Sequence, residues 1–328
     1  MSDPQNIPDG LSLAECLEVA IAASRAAGKK IVDMLYSAEV HEKSSKDLVT
    51  DADIAAQAII FEVILARFPN HQFVGEEGPP PSGLMKPEPM ALATGFDFAT
   101  SCQIAPEASV YGSEKMPLSL PQPLTGIKSA DPPPEIVSSI IPPNCWCWVV
   151  DPIDGTANYV HRFPNFAVSI ALVRDGTSYV GVVYDPMADE LFSAVLSEGA
   201  RLNAQPIHCS GCKQIDRALI AASFPPNVQR GCVEIEQFIE VLVEAQSLRR
   251  LGSAALNLCY VACGRLDGYW AGKVRSWDVA AGILIAEEAG CKLTRMNGSP
   301  FVLNLGDLTV ASSAPLHAEL LGCLNRVS

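Results

Sequence analysis

The sequence predicts a mixed α/β (α+β) chain organised around one buried strand, and three observations support this. An apolar, β-branched run, Trp148-Val149-Val150, leads into Asp151-Pro152-Ile153-Asp154-Gly155-Thr156, so a buried strand delivers two carboxylates where Pro152 and Gly155 turn the chain. Segments 165–173, 178–184 and 190–196 alternate apolar and polar residues, punctuated by Asp175-Gly176 and Asp185-Pro186, which is the pattern of an antiparallel meander. From about Ile215 short strands alternate with helices. A chain of 328 residues, 48% hydrophobic, has material for two packed halves. We expect an N-terminal α+β half over residues 1–214 that carries the metal site, and a C-terminal α/β half over 215–328.

Taken in order, residues 11–36 place Leu13, Leu17, Ala20, Ile21, Ile31 and Leu35 at helical spacing and predict a long amphipathic helix. The polar stretch 41–47 reads as a loop. A second helix is expected from about Asp53 to Phe68, ended by Pro69-Asn70, with Asp51 and Asp53 at its N-terminus, where acids suit the helix dipole. Residues 71–74 form a short strand that exits into Gly75-Glu76-Glu77-Gly78, again acids at a strand end. Residues 79–144 are rich in proline with little periodicity, and read as a flexible insertion that builds no core. Beyond the meander, strands are expected over 218–222, 249–251 and 266–270, and helices over 233–247, 253–263 and 276–289. Gly252 introduces the second of these helices, and Asp278 sits in the first turn of the third.

Composition narrows the function. The formal charge is −14 with no Lys/Arg run, which argues against a nucleic-acid backbone or an acidic membrane surface as partner. The first ten residues are polar and do not form a signal peptide, and no apolar run is long enough to span a bilayer, so a cytoplasmic protein is expected. Eleven cysteines without regular spacing predict free thiols; Cys209-x-x-Cys212 is a single pair, and Cys145 and Cys147 are spaced wrongly to complete a zinc site.

Two carboxylates held a few ångströms apart need a shared proton or a divalent cation to neutralise them. Oxygen ligands alone select a hard ion such as Mg²⁺, and Pro152 leaves the Ile153 carbonyl free to act as one more. Gly155 and Thr156 open a short helix whose free N–H groups favour an anion. A metal beside an anion pocket suggests phosphate. A lone D-x-x-D would more often be an acidic turn capping an ordinary strand, and His161 in the following loop more often a structural histidine than a base.

In combination the motifs are more specific. Gly75-Glu76-Glu77, Asp151-Pro152-Ile153-Asp154-Gly155-Thr156 and Trp277-Asp278-Val279-Ala280-Ala281-Gly282, in that order, resemble the motif set of the inositol monophosphatase family, and the stretch 158–164 resembles the family's continuation of the central motif. The resemblance implies a layered αβαβα sandwich of the inositol monophosphatase/fructose-1,6-bisphosphatase type. It also implies a homodimer that hydrolyses a small phosphorylated metabolite using Mg²⁺, two or three ions per site, with sensitivity to Li⁺. It assigns Glu76, Asp151 and the Ile153 carbonyl to one Mg²⁺, and Asp151, Asp154 and Asp278 to a second. Glu76 and Thr156 would position the attacking water, with Asp53 accepting from the Thr156 hydroxyl. The Gly155 and Thr156 N–H groups would bind phosphate, and Gly252, Ser253 and Ala254 would lie along the alcohol part.

One position departs from the pattern. Seven residues before Asp278, where the family places a glutamate that contacts inositol hydroxyls, stands Ala271, which accepts no hydrogen bond from a polyol. Together with the insertion, this resembles a branch of the family encoded in fungal quinate-utilisation gene clusters, implying a link to aromatic-acid catabolism. Two other readings stay open. A sugar-bisphosphate or nucleotide phosphatase would need a basic patch, for which the sequence offers only Arg249-Arg250. A catalytically weak, metal-binding regulatory protein would have no use for Glu76, Asp53 and Thr156 together.

Overall fold

The computed structural model describes residues 11–44, 47–78, 128–129, 141–225 and 227–327. Helix α1 (Leu13–Met34) starts where the Ser12 hydroxyl accepts the Glu15 N–H at 3.3 Å. Strands β1 (Val40–Ser44) and β2 (Asp47–Thr50) follow as an antiparallel hairpin. This corrects the loop expected over 41–47, of which 45–46 lie outside the described residues: the side chains from His41 to Ser44 are polar, with no apolar alternation to read. Helix α2 (Asp51–Arg67) opens on a capping box in which Asp53 accepts from the Thr50 N–H at 2.8 Å.

Strands β3 (Gln72–Gly75), β4 (Lys128–Ser129) and β5 (Cys147–Asp154) come next. β4 pairs in parallel with β1, and Ile141 is buried in the core; the rest of the proline-rich stretch lies outside the described residues up to 140. The short helix α3 (Thr156–Val160) leads into the meander β6 (Ala167–Arg174), β7 (Thr177–Asp185), β8 (Glu190–Val195), β9 (Ala200–Leu202) and β10 (Gln205–Pro206). Together they form a seven-stranded sheet in the order β10-β9-β8-β7-β6-β5-β3, antiparallel except for β3 with β5.

The second sheet is built from β11 (Leu219–Ser223), β12 (Ser247–Arg249), β13 (Gly268–Gly272), β14 (Lys292–Thr294) and β15 (Asp307–Ala311), in the order β12-β11-β13-β15-β14. Helices α4 (Val233–Glu244), α5 (Ala254–Ala262), α6 (Ser276–Glu288) and α7 (Ala314–Leu324) are interleaved with these strands. β12 lies two residues earlier than expected, because its single core anchor is Leu248 and the chain already turns at Leu251-Gly252.

Three hydrophobic clusters give the layers. α1 and α2 cover one face of the large sheet through Trp148, Val150 and Ile170; α5 and α6 fill the space between the two sheets; α7 and Val241 of α4 cover the outer face of the small one. The result is an αβαβα sandwich. β5 is buried on both faces, which is why it reads as a continuous apolar run.

The small residues of the Trp277-to-Gly282 motif have a packing reason. A Cβ on Gly282 would lie 2.7 Å from Leu258 Cδ1 of α5, and one on Gly181 of β7 would lie 2.8 Å from the Ala281 carbonyl. α6 is therefore clamped between α5 and the large sheet, where Ser178 Oγ donates to the Ala280 carbonyl at 2.8 Å. That fixes where Asp278 emerges.

Candidate active site

The site forms where β3 and β5 run out side by side. Gly75 pairs with Val150, and the Glu76 N–H donates to the Val150 carbonyl at 3.2 Å, so Glu76 leaves its strand next to Asp151. The turn carrying it is held by Gln57 of α2, whose Oε1 accepts the Glu77 N–H at 3.1 Å and whose Nε2 donates to the Gly78 carbonyl at 3.0 Å. A Cβ on Gly75 would lie 2.4 Å from Gln57 Oε1, so glycine and glutamine require each other here.

β5 supplies the next two acids. Asp151 accepts from the Ile153 N–H at 3.0 Å within an irregularity of the β5–β6 pairing. Asp154 is held by the first turn of α5: the Ser253 hydroxyl donates to it, as do the N–H groups of Ala254 at 3.2 Å and Ala255 at 2.8 Å. Asp278 accepts from the Arg275 N–H at 2.8 Å at the start of α6. Asp53 is fully buried; its Oδ2 takes the Thr50 N–H and hydroxyl, and its Oδ1 faces the Thr156 hydroxyl at 3.4 Å. Thr156 Oγ lies nearer the Ile153 carbonyl, at 3.1 Å.

Bringing the four aspartates together in the interior perturbs each of them. Burial pushes Asp151 well above the carboxylate range, and the charges of Glu76, Asp154, Asp278 and Asp53 push the same way. Asp278 is raised by burial, then by Asp154 and Glu76. Asp154 reaches about 6, burial outweighing its hydrogen bonds from Ser253, Ala255 and Ala254. Asp53 reaches about 7, raised by burial against the opposing hydrogen bond from Thr50.

Lys43 of β1 is the cation the fold brings in, its Nζ 3.1 Å from Glu76 Oε1 and 2.5 Å from Glu77 Oε1. Burial would lower its pKa, yet Glu76 and Glu77 more than offset this and raise it. Asp53, Asp151, Asp154 and Asp278 make no ion pair among the described residues. A cluster of oxygen donors with raised pKa values is the environment that a hard divalent cation relieves. Glu39, His41 and Asp51, beside the start of α2, place one ligand atom each within 4.8 Å of one another, which no three of the expected ligands Glu76, Asp151, Asp154 and Asp278 do.

Two strained glycine turns stand back to back. Gly155 has φ of +99°, and a Cβ there would lie 3.0 Å from the Asn165 carbonyl; Gly252 has φ of +91°, and a Cβ there would lie 2.8 Å from Asn158 Nδ2. Asn158 Nδ2 donates to the carbonyls of Asn165 at 2.7 Å and Leu251 at 2.8 Å, tying the two turns together. Of the three residues expected along the alcohol part, Gly252 is exposed, whereas Ser253 and Ala254 are buried with their donors directed at Asp154. Ala271 is buried on β13 between Ser223 and Leu308, and His161 is exposed at the end of α3. Lys43, Gln57, Asn158 and Asn165 were not singled out from sequence; only Gln57 carried a signal, an amide on the apolar stripe of α2.

The comparisons with known proteins agree with this geometry. The model of the inositol monophosphatase family matches residues 12–327. Inositol monophosphatase 2 of Solanum lycopersicum is 35% identical over 312 residues, covering 94% of this chain and 96% of that protein. A protein of Vibrio cholerae named Nus factor SuhB is 34% identical over 311 residues, covering 93% and 94%. The structure of inositol monophosphatase from Anabaena (Nostoc) superposes with a TM-score of 0.68 at 29% identity, covering 96% of this chain and 97% of that one.

Proposed function

Since the chain belongs to the inositol monophosphatase family and is a phosphomonoesterase, we propose that it cleaves its substrate with Mg²⁺ held by Glu76, Asp151, Asp154, Asp278 and the Ile153 carbonyl. The observation that carries this reading is that Glu76 and the three aspartates Asp151, Asp154 and Asp278 face one another at the exit of β5, where burial and neighbouring charge raise the aspartates. When bound, the ion would lower the pKa of a coordinated water and stabilise charge on the ester oxygens.

The remaining work falls to the chain. Glu76 and the Thr156 hydroxyl border the place where water would be oriented, and Asp53 sits behind Thr156 to take its proton in a hydrogen bond. The Gly155 and Thr156 N–H groups, at the left-handed turn that opens α3, would bind the phosphate oxygens. Asp154 links the acid cluster to the start of α5, and the turn at Gly252 just before it would lie along the alcohol part. We infer a division at about residue 214 between a half carrying Glu76, Asp151 and Asp154 and a half carrying Asp278. We further infer a cytoplasmic homodimer inhibited by Li⁺, with a substrate drawn from polyol or aromatic-acid metabolism.

The test is phosphate release from inositol phosphates, sugar phosphates, nucleotides and shikimate- or quinate-related phosphates, with and without Mg²⁺. Mg²⁺-dependent turnover on one compound supports the reading. Mg²⁺ binding in calorimetry with no turnover on any compound would instead favour a regulatory protein that kept the fold.

A further inference from the structure

A set of metal-binding side chains stands apart from the catalytic acids, on the β1–β2 hairpin. The backbone assembles it: β1 pairs antiparallel with β2, Val40 opposite Thr50, and the Asp51 N–H extends that ladder by donating to the Glu39 carbonyl at 3.2 Å. Glu39 and Asp51 therefore meet across the hairpin. Residues two apart in an extended chain project to the same side, so His41 comes round beside Glu39. One carboxylate oxygen from Glu39, one from Asp51 and one ring nitrogen of His41 end up within 4.8 Å of one another. Among the described residues no other three His, Cys, Asp or Glu side chains bring ligand atoms so close.

This donor set differs in kind from the catalytic one. Glu76, Asp151, Asp154, Asp278 and the Ile153 carbonyl offer oxygen alone, which suits Mg²⁺, whereas an imidazole nitrogen with two carboxylates suits a borderline ion such as Zn²⁺. The spacing agrees. Tetrahedral Zn²⁺, with bonds of about 2.0–2.1 Å, holds its nitrogen and oxygen ligands about 3.3 Å apart, and His41 Nε2 already lies 3.1 Å from Asp51 Oδ1. That pair alone is an ordinary His–Asp contact, complete without a metal. The Glu39 carboxylate beside it changes the balance, because two carboxylates and a neutral imidazole carry two negative charges, which one divalent ion cancels. All three side chains keep some exposure, so water can reach the fourth position of such an ion.

We propose that Glu39, His41 and Asp51 form a site for a Zn²⁺-class ion, separate from the Mg²⁺ centre, that ties β1 to the first turn of α2. Those two elements carry Lys43, which pairs with Glu76 and Glu77, and Asp53, whose Oδ1 faces the Thr156 hydroxyl. Lys43 stands two positions from His41, and Asp53 two positions from Asp51. The bound ion stiffens one wall of the active site without touching the reacting groups.

The experiment is a calorimetric titration of Zn²⁺ into the full chain in a large excess of Mg²⁺, with the urea unfolding midpoint measured alongside. One equivalent of Zn²⁺ should bind despite the Mg²⁺ and raise the midpoint. The 11 cysteines can also take Zn²⁺, so variants fix the location. His41→Ala and Asp51→Asn should each weaken that equivalent at least about tenfold, since losing even a partner behind a metal ligand costs about 10- to 100-fold in affinity. Both should also abolish the rise in midpoint, while Asp151→Asn, which alters the Mg²⁺ centre, should leave the equivalent in place. Zn²⁺ displaced by Mg²⁺ would lie on the catalytic acids, and Zn²⁺ retained by both hairpin variants would lie on thiols; either result, or no binding, overturns the proposal. If His41→Ala does not fold, Asp51→Asn decides. The readout is the ion itself, so the result stands whatever ester the protein cleaves.

Discussion

Asp151 shows why a residue required for turnover can burden the fold that carries it. It is 2% exposed and surrounded by Glu76, Asp154, Asp278 and Asp53. Asp151→Asn keeps an acceptor for the Ile153 N–H and removes one charge from the cluster. We expect kcat to fall by at least about 10³-fold, while the metal-free protein gains about 1 kcal/mol in urea unfolding at neutral pH. Full turnover by this variant would sink the metal assignment. Gln57 makes the complementary case, a residue that touches no substrate. Gln57→Leu leaves the Glu77 N–H and the Gly78 carbonyl without their partner, a loss of about 1–3 kcal/mol. Glu76 would then sit on a loosened turn, so kcat should fall as well; an unchanged urea midpoint would show that the turn holds itself.

At the scale of elements, the site depends on short turns pinned to one another across the two sheets. Asn158→Ala removes the bonds from α3 to the Leu251 and Asn165 carbonyls, although Asn165 Nδ2 still donates to the Leu251 carbonyl at 3.1 Å. We therefore expect a loss of only about 1 kcal/mol in stability but a clear rise in KM, because Gly155 and Gly252 lose their common anchor. An unchanged KM would separate the two turns functionally. Such ties also mark the limit of what the sequence discloses. β5, the meander and α6 are legible because each buries apolar residues, Glu76, Asp151 and Asp154 because each stands at a strand exit beside Gly or Pro, and Asp278 because it sits in the first turn of a helix. The β1–β2 hairpin is not legible, since its side chains are polar, and with it Lys43 stays hidden, reaching Glu76 across 33 positions of chain. Asn158 and Asn165 look like ordinary loop amides until the fold brings Leu251 to them, 93 and 86 positions away.

For the whole molecule, the acid cluster links stability to pH and to metal. Asp53 at about 7 and Asp154 at about 6 lie above the ordinary carboxylate value of about 4. Between those limits the folded, metal-free protein binds more protons than the unfolded chain. The slope of unfolding free energy with pH, proportional to protons bound unfolded minus folded, is then negative, so these groups destabilise the protein as pH rises through that window. His71 and His317, lowered by burial, act in the opposite sense. A cation that binds the folded carboxylates must displace their protons, so its affinity rises with pH and its stabilisation grows with the ratio of ion to dissociation constant. The histidines are common to both states and cancel in the difference. We expect the gap in Tm between Mg²⁺-loaded and EDTA-treated protein to be small at about pH 5 and to widen by several degrees at about pH 7.5. Differential scanning fluorimetry at matched ionic strength measures it directly. A gap that fails to widen with pH would show that the bound ion displaces no protons from these buried acids.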